Sequence, residues 1–489
     1  MGRTDARTVE LETVIGLEVH AQVLTRSKMY CTCSARYADA PPNTHVCPTC
    51  CGLPGAMPVM NRAAIESVIL TGLALNCEIP GFCKLDRKNY VYPDLPKGYQ
   101  ISQYDLPLCV DGWLEFVVDG ETVRAGITRV HIEEDTGRLV HRTDGMGAEI
   151  SLVDLNRSGV PLMEIVGEPD LRSADQAREY LVALRQSLRY IGVSTGNMEE
   201  GAFRCDANIS VREVGGPLGS KVEIKNMNSF RAVERALRYE EQRQREVLAV
   251  GGTIPQETRG WVEAQGITVS QRSKEQAHDY RYFPEPDIPP MHVGAELVEA
   301  VRGRLPELPN ARRSRFMEDY ALSPADSALL TLEREIGDVY EDVVAGGDRD
   351  RARQAANWIV NDVMGLQKAK GLPADTLPLS VAQLRDLLDL VGSGAVSARA
   401  AKEVLPELAD GEMPRDAAAR LNLLALENED EVRQAAIETL AAYPAAAADF
   451  RGGKQAAIGR LIGETIKRTG GRAKPDQVRA LLIEELGRQ

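Results

Sequence analysis

The sequence predicts an α+β protein, with an antiparallel-sheet domain first and helices from there to the end. Three observations carry this. Several stretches before Pro289 alternate ionisable and apolar side chains, as an antiparallel sheet packed on one face and wet on the other requires. All nine cysteines lie between Cys31 and Cys205, and all six histidines lie at or before His292. Beyond Pro289-Pro290 the chain is rich in Ala, Leu, Glu and Arg with helical periodicity. A second seam is expected near Pro406 to Pro414, giving domains of 1–293, 294–407 and 408–489 with the chemistry in the first.

At 489 residues the chain can bury a large core without disulfides. Its net charge of −14 argues against general nucleic-acid binding, so any RNA contact must come from local basic patches. No apolar run reaches membrane-span length and Met1 to Arg7 holds no signal-peptide core, so a cytoplasmic location is expected.

The leading stretch is Thr13 to Gln22. In a strand, Glu18, His20 and Gln22 share one face while Leu17, Val19 and Ala21 turn to a core. A carboxylate beside an imidazole suits either a divalent cation or acid–base chemistry. Cys31-Thr-Cys33 and Cys47-Pro-Thr-Cys50 have the spacing of a tetrahedral structural zinc site, with Cys51 either a substitute for Cys50 or spare. A helix is expected over Asn61 to Asn76, where apolar residues keep helical period after Pro58, followed by a polar loop, Lys84 to Gln103, of the kind that carries function.

Short strands follow from Trp113 to Val140, with Val118 to Glu121 as a hairpin turn. They lead into His131-Ile-Glu133-Glu134-Asp135, where three adjacent acids repel unless cations or solvent neutralise them. Glu164 stands inside an apolar run, where a carboxylate is costly unless paired, protonated or metal-bound. Ser173 opens a helix to about Tyr190. Asp206, Asn208 and Ser210 share a strand face, and Lys221, Glu223 and Lys225 repeat the device. Phe230 to Val250 reads as a long charged helix.

Further helices are expected near 296–303, 310–320, 324–344, 350–369, 380–391, 397–403, 415–425, 430–442, 453–468 and 475–487. In the last pair Gly459 and Gly463, four apart, clear one helix face. That face suits either close helix packing or, with Lys454, Lys467 and Lys474, an RNA backbone. Gly215 to Lys221 fails as a phosphate loop, because Val222 stands where Ser or Thr is needed.

Seven motifs in order resemble the GatB/GatE family: Val14 to His20, Asp86 to Tyr90, Tyr99 to Gln103, Ser151 to Arg157, Met198 to Gly201, Arg204 to Ser210 and Asp279 to Asp287. The tail around Gly453-Lys454, Gly459 and Gly463 resembles that family's YqeY-like domain. The resemblance implies a glutamine-synthetase-like catalytic domain, a helical linker domain and a small helical tail. It implies ATP-dependent phosphorylation of the side-chain carboxylate of Glu-tRNA(Gln) or Asp-tRNA(Asn), then amidation. The ammonia would come through a channel from a partner glutaminase, the family's A subunit, and a small C subunit would complete a heterotrimer.

Carried over by residue, His20, Glu134 and Glu164 are implied as Mg²⁺ ligands, and Glu18, Lys88 and Lys97 as the channel mouth. Spacing alone does not choose among Glu133, Glu134 and Asp135. Asp206, Asn208, Lys225 and Arg281 are added as phosphate or nucleotide contacts, since phosphoryl transfer relies on positioning and charge. Two other classes remain: a small-molecule amide ligase, which would not depend on charged tRNA, and a non-catalytic tRNA scaffold, against which Glu18, His20 and Glu164 together argue.

Overall fold

The computed structural model describes residues 10–273, 280–408, 411–426 and 428–488. Asp279, the first residue of the last catalytic-domain motif, lies outside them. The chain divides into two compact units, meeting at Asn310/Ala311.

The first unit runs β1 (Leu11–Gln22), α1 (Arg62–Ala74), β2 (Phe82–Cys83), β3 (Asp86–Asn89), β4 (Tyr99–Ser102), β5 (Cys109–Val118), β6 (Glu121–Glu134), β7 (Arg138–Thr143), β8 (Glu149–Asp154) and β9 (Pro161–Gly167). It continues through α2 (Ala174–Tyr190), β10 (Phe203–Glu213), β11 (Val222–Lys225), α3 (Phe230–Ala249), β12 (Glu257–Val262), β13 (Ile267–Ser273), β14 (Phe283–Pro284), β15 (Met291–His292) and α4 (Ala295–Arg302).

Eight strands form one sheet in the order β13-β12-β11-β10-β1-β9-β6-β5. Expected as antiparallel, it is mixed: β11 and β12 pair in parallel. The cause is α3, which fills the connection, since a parallel neighbour needs a long crossover. The predicted hairpin is present, with Asp119 and Gly120 both at positive φ between β5 and β6, as a two-residue turn requires. One sheet face carries Val19, Ile165, Val130 and Cys205 into the main core, which α1, α2 and α3 cover. Asn61 caps α1, accepting from the Ala63 and Ala64 amides, and Ser173 caps α2 by accepting from the Gln176 amide.

The opposite face is the polar one. A small sheet, β14-β3-β4, packs through β4 against β6 and brings the Lys84–Gln103 loop to it. The first unit reaches past residue 293 because Val301 of α4 is buried in the main core and α4 packs on α1.

The second unit holds two apolar cores. One spans Phe316 to Ala418 and the other Val432 to Leu486, so the seam falls beyond 418 rather than at 408. Gln383 explains the shift: its side-chain amide donates to the carbonyls of Leu408 (3.1 Å) and Glu412 (3.0 Å), tying that segment to the first of these cores. The expected helix over 324–344 is two, Pro324–Leu330 and Arg334–Val344. Pro444–Arg451 is a helix absent from the sequence expectations. Its proline reads as a break after the preceding helix, yet proline also suits a first helical turn, where its missing N–H costs nothing. Among the described residues no helix is long and apolar enough to cross a membrane.

Candidate active site and metal centres

Register builds the site. β1 lies between β10 and β9, pairing His20 with Arg204 on one side and Glu164 on the other. Glu164 in turn pairs with His131 of β6. The four side chains Arg204, His20, Glu164 and His131 therefore form one row across the polar face. Glu133, two residues along β6, joins them, since residues two apart share a face.

His20 Nε2 stands 3.5 Å from Glu164 and 3.6 Å from Glu133, and His131 Nε2 stands 3.2 Å and 3.4 Å from the same two. Lys88 of β3 reaches Glu133 at 3.6 Å. Ser102 and Gln100 of β4 donate to the two Glu133 oxygens at 2.8 and 3.3 Å. Burial works against ionisation of Glu164, but His131 and His20 outweigh it and hold the carboxyl well below its usual range. Burial likewise opposes charge on Glu133, and Lys88 and His131 overcome it. Burial lowers the affinity of both imidazoles for protons, while Glu164 and Glu133 raise it more. The two carboxylates are thus held ionised between two imidazoles and Lys88.

His20, Glu133 and Glu164 can each offer one ligand atom within 4.8 Å of the others. An imidazole with two ionised carboxylates fits a hard or borderline divalent ion. Glu134, implied as a ligand by resemblance, is not in this group. It points to the other side of β6, where it pairs with Lys97 and accepts the Ile101 N–H at 3.0 Å. Glu133 occupies the place expected of it. The signal is in the sequence: Val130 and Ile132 face the core, so His131 and Glu133 must face the site.

Glu18 lies one row along β1, accepting from Asn208 at 2.8 Å, opposite Asp206. Lys225 bridges Asp206 and Glu223. These residues share the polar face with His20. Lys88 and Lys97 are separated, each held by a different acid. Arg281 is exposed, at φ 42°, and its carbonyl accepts from Asn89 at 2.8 Å. Sequence reasoning misses the part played by Asp135, which is buried and gathers Gln22 (2.7 Å), Arg204 (3.0 Å) and Arg157 (3.7 Å). That network fixes the guanidinium next to His20.

Cys31, Cys33, Cys47 and Cys50 form a second group, their sulfurs all within 4.8 Å of one another. Cys47 and Cys50 Sγ are 3.8 Å apart, about the edge of a tetrahedron with metal–sulfur bonds near 2.3 Å. That is far beyond a disulfide bond of roughly 2 Å. Cys51 stands outside the group. A hydrogen bond from Cys31 drives the Cys50 thiol down to about 4 against its burial, while burial pushes Cys33 up to about 11. Lys28 is fully buried, donating to His45 O at 2.8 Å and lying 3.7 Å from Cys50 Sγ. Its ammonium favours the Cys50 thiolate. Elemental analysis of purified protein is expected to give about one zinc per chain, and Cys47→Ser to lower both zinc content and melting temperature. Metal-free protein that melts unchanged would overturn the assignment.

In the tail, a methyl added at Gly459 or Gly463 would meet nothing within 4 Å. Their helix face (Ala457–Arg468) is therefore open, and the alternative of close helix packing does not hold among the described residues. Lys454 pairs with Asp449 at 2.9 Å, and Lys467 and Lys474 are exposed.

The first unit is thus a mixed sheet that presents a histidine–carboxylate row, together with a four-cysteine knuckle. Residues 13–299 match the GatB/GatE catalytic domain, and residues 338–486 match the GatB domain. The chain is 58% identical over 480 residues to the B subunit of aspartyl/glutamyl-tRNA(Asn/Gln) amidotransferase from Thermomicrobium roseum, covering 98% of this chain and 99% of that one. It is 50% identical to the protein of that name from Dehalococcoides mccartyi, over 98% of this chain and 99% of that one. With the one from Carboxydothermus hydrogenoformans it shares 48% identity at the same coverage. The chain belongs to the GatB family.

Proposed function

We propose that the chain is the ATP-dependent carbon–nitrogen ligase component of a tRNA-dependent amidotransferase, with glutamine as the amide donor. Its substrate is the side-chain carboxylate of Glu-tRNA(Gln), Asp-tRNA(Asn) or both. A carboxylate oxygen attacks the γ-phosphorus of ATP and ADP leaves. Ammonia then attacks the acyl carbon, phosphate leaves, and a proton is shed. Mg²⁺ held by His20, Glu133 and Glu164 would neutralise the phosphate and carboxylate oxygens that meet there. Lys88 and Arg204 flank that row and hold anionic oxygens in place, which is most of what phosphoryl transfer asks of a protein.

The observation that carries this reading is the row of His20, Glu164 and His131 completed by Glu133. Glu18, Lys88 and Lys97 are proposed to line the entry of ammonia from the glutaminase partner. Asp206, Asn208, Lys225 and Arg281 are proposed toward the nucleotide. A glutamine-synthetase-like catalytic sheet, a heterotrimer with the A and C partners, and a cytoplasmic setting complete the proposal. The test is an assay of the assembled enzyme with each mischarged tRNA. ATP cleavage that ignores charged tRNA would favour the small-molecule ligase, and none at all the scaffold.

The tail is proposed to bind tRNA through the open glycine face and Lys454, Lys467 and Lys474. Ending the chain before residue 428 removes the last core and leaves the metal row untouched. Affinity for tRNA is expected to fall with Mn²⁺ binding unchanged. Undiminished tRNA affinity would give the tail another role.

A further inference from the structure

The two metal centres are joined by a short, continuous set of contacts. The turn after Cys50 places Gly52 at φ +68°, directly on Lys97. A methyl there would overlap Lys97 Cγ and stand 3.0 Å from its Cα. Lys97 is almost fully buried, and its ammonium is paired with Glu134. The Ser158-Gly159 turn lies between Cys50 and Glu134. Ser158 Oγ donates to Cys50 O at 3.4 Å, and Gly159 N–H donates to Asp135 O at 2.8 Å. A methyl on Gly159 would lie 3.6 Å from Cys50 Cβ and 3.8 Å from Glu134 Oε2. A cavity of about 170 Å³ is walled by Cys31, Cys50, Gly52, Lys97 and Glu134 together.

From Glu134 the contacts run on to the metal row. Its carboxylate accepts the Ile101 N–H, and its carbonyl accepts from Gln100 at 2.7 Å, which docks β4 on β6. β4 is the strand whose Gln100 and Ser102 orient the Glu133 carboxylate. Metal ligands hold their geometry through such outer hydrogen bonds.

We propose that the four-cysteine knuckle is a positioning element for the catalytic metal row: through Gly52 it sets Lys97 on Glu134, and thereby sets β4 and the Glu133 carboxylate. Gly52, Lys97 and Glu134 are positioning residues, with the metal at the cysteines deciding how tightly the row holds its own. This rests on the reading of His20, Glu133 and Glu164 as a metal row. The coupling runs along the wall of this cavity, from Gly52 on Lys97 to the Lys97–Glu134 pair and the hydrogen bonds of Glu134 to β4.

The test uses the full-length chain and Mn²⁺ alone as the probe, with zinc content and a melting curve for each sample. Stripping zinc with a chelator is expected to weaken Mn²⁺ binding about ten- to a hundredfold, the usual cost of a lost outer partner. Restoring zinc should restore it. Lys97→Met should weaken Mn²⁺ to the same degree while keeping its zinc, which separates the link from collapse of the knuckle. Gly52→Ala should follow Lys97→Met. Unchanged Mn²⁺ affinity in both the stripped protein and Lys97→Met would overturn the coupling, provided Glu133→Gln still loses Mn²⁺. Should Glu133→Gln bind Mn²⁺ as tightly as the parent, the metal-row reading itself fails, and the coupling with it.

Discussion

If the proposed function holds, Glu164→Gln is expected to cut tRNA-dependent ATP cleavage by orders of magnitude while leaving glutamine hydrolysis on the proposed glutaminase partner largely intact. The substitution nearly keeps side-chain volume and removes one negative charge from between two imidazoles. Both histidines then lose the carboxylate that favours their charged form, since His131 lies 3.2 Å and His20 3.5 Å from it. Neutral imidazoles remain compatible with burial, so the melting temperature should move little. The catalytic loss should be large, because metal charge stabilisation contributes several kcal/mol, on the order of a hundredfold or more in rate. His20→Ala should behave alike, and recover in part with excess Mg²⁺. The measurements are ATP cleavage, glutaminase rate and melting for each variant. Equal loss of both activities with a lowered melting point would make Glu164 a fold residue.

The polar row was legible because strand alternation is a local property. Glu18, His20 and Gln22 share a face for the same steric reason in any sheet, and a lone Glu164 in an apolar run advertises its own cost. The cysteines were legible because two short spacings fix four sulfurs. That Glu133 rather than Glu134 shares the face of His131 was also available locally, since Ile132 sets the parity of β6, although family resemblance points to Glu134 as the ligand. What the sequence did not hold was register. Nothing local pairs His20 with Arg204, or gathers Gln22, Arg157 and Arg204 on Asp135, because those contacts join strands far apart in sequence. The parallel β11·β12 pair was hidden for the same reason. A seam near 408 is misplaced because prolines mark breaks in helices, whereas a core boundary depends on which faces are covered, and Gln383 covers that one.

Glu133→Gln and Glu134→Gln, adjacent and chemically identical changes, are expected to fail in opposite ways. Glu133 faces the polar row under Lys88, a lysine that keeps some contact with solvent at 18% exposure. Removing its charge deletes a proposed ligand and leaves Lys88 able to find water, so the fold should melt near its usual temperature. Metal affinity should fall by more than the roughly hundredfold that a lost outer partner costs. Glu134 faces away, and its partner Lys97 is only 8% exposed. A glutamine amide oxygen in that place can still accept the Ile101 N–H, so β4 stays docked, but the Lys97 ammonium is left buried without a counter-charge. Breaking a buried pair from one side costs about 3–5 kcal/mol, and that cost falls on stability. The expected signature is therefore a large drop in melting temperature with a smaller loss of Mn²⁺ affinity for Glu134→Gln, and the reverse for Glu133→Gln. Stability is read from denaturant melts and affinity from Mn²⁺ titration of the same samples. If Glu134→Gln loses the metal more completely than Glu133→Gln, the ligand is the one resemblance implied, and the strand face that carries His131 and Glu133 is not the one that binds.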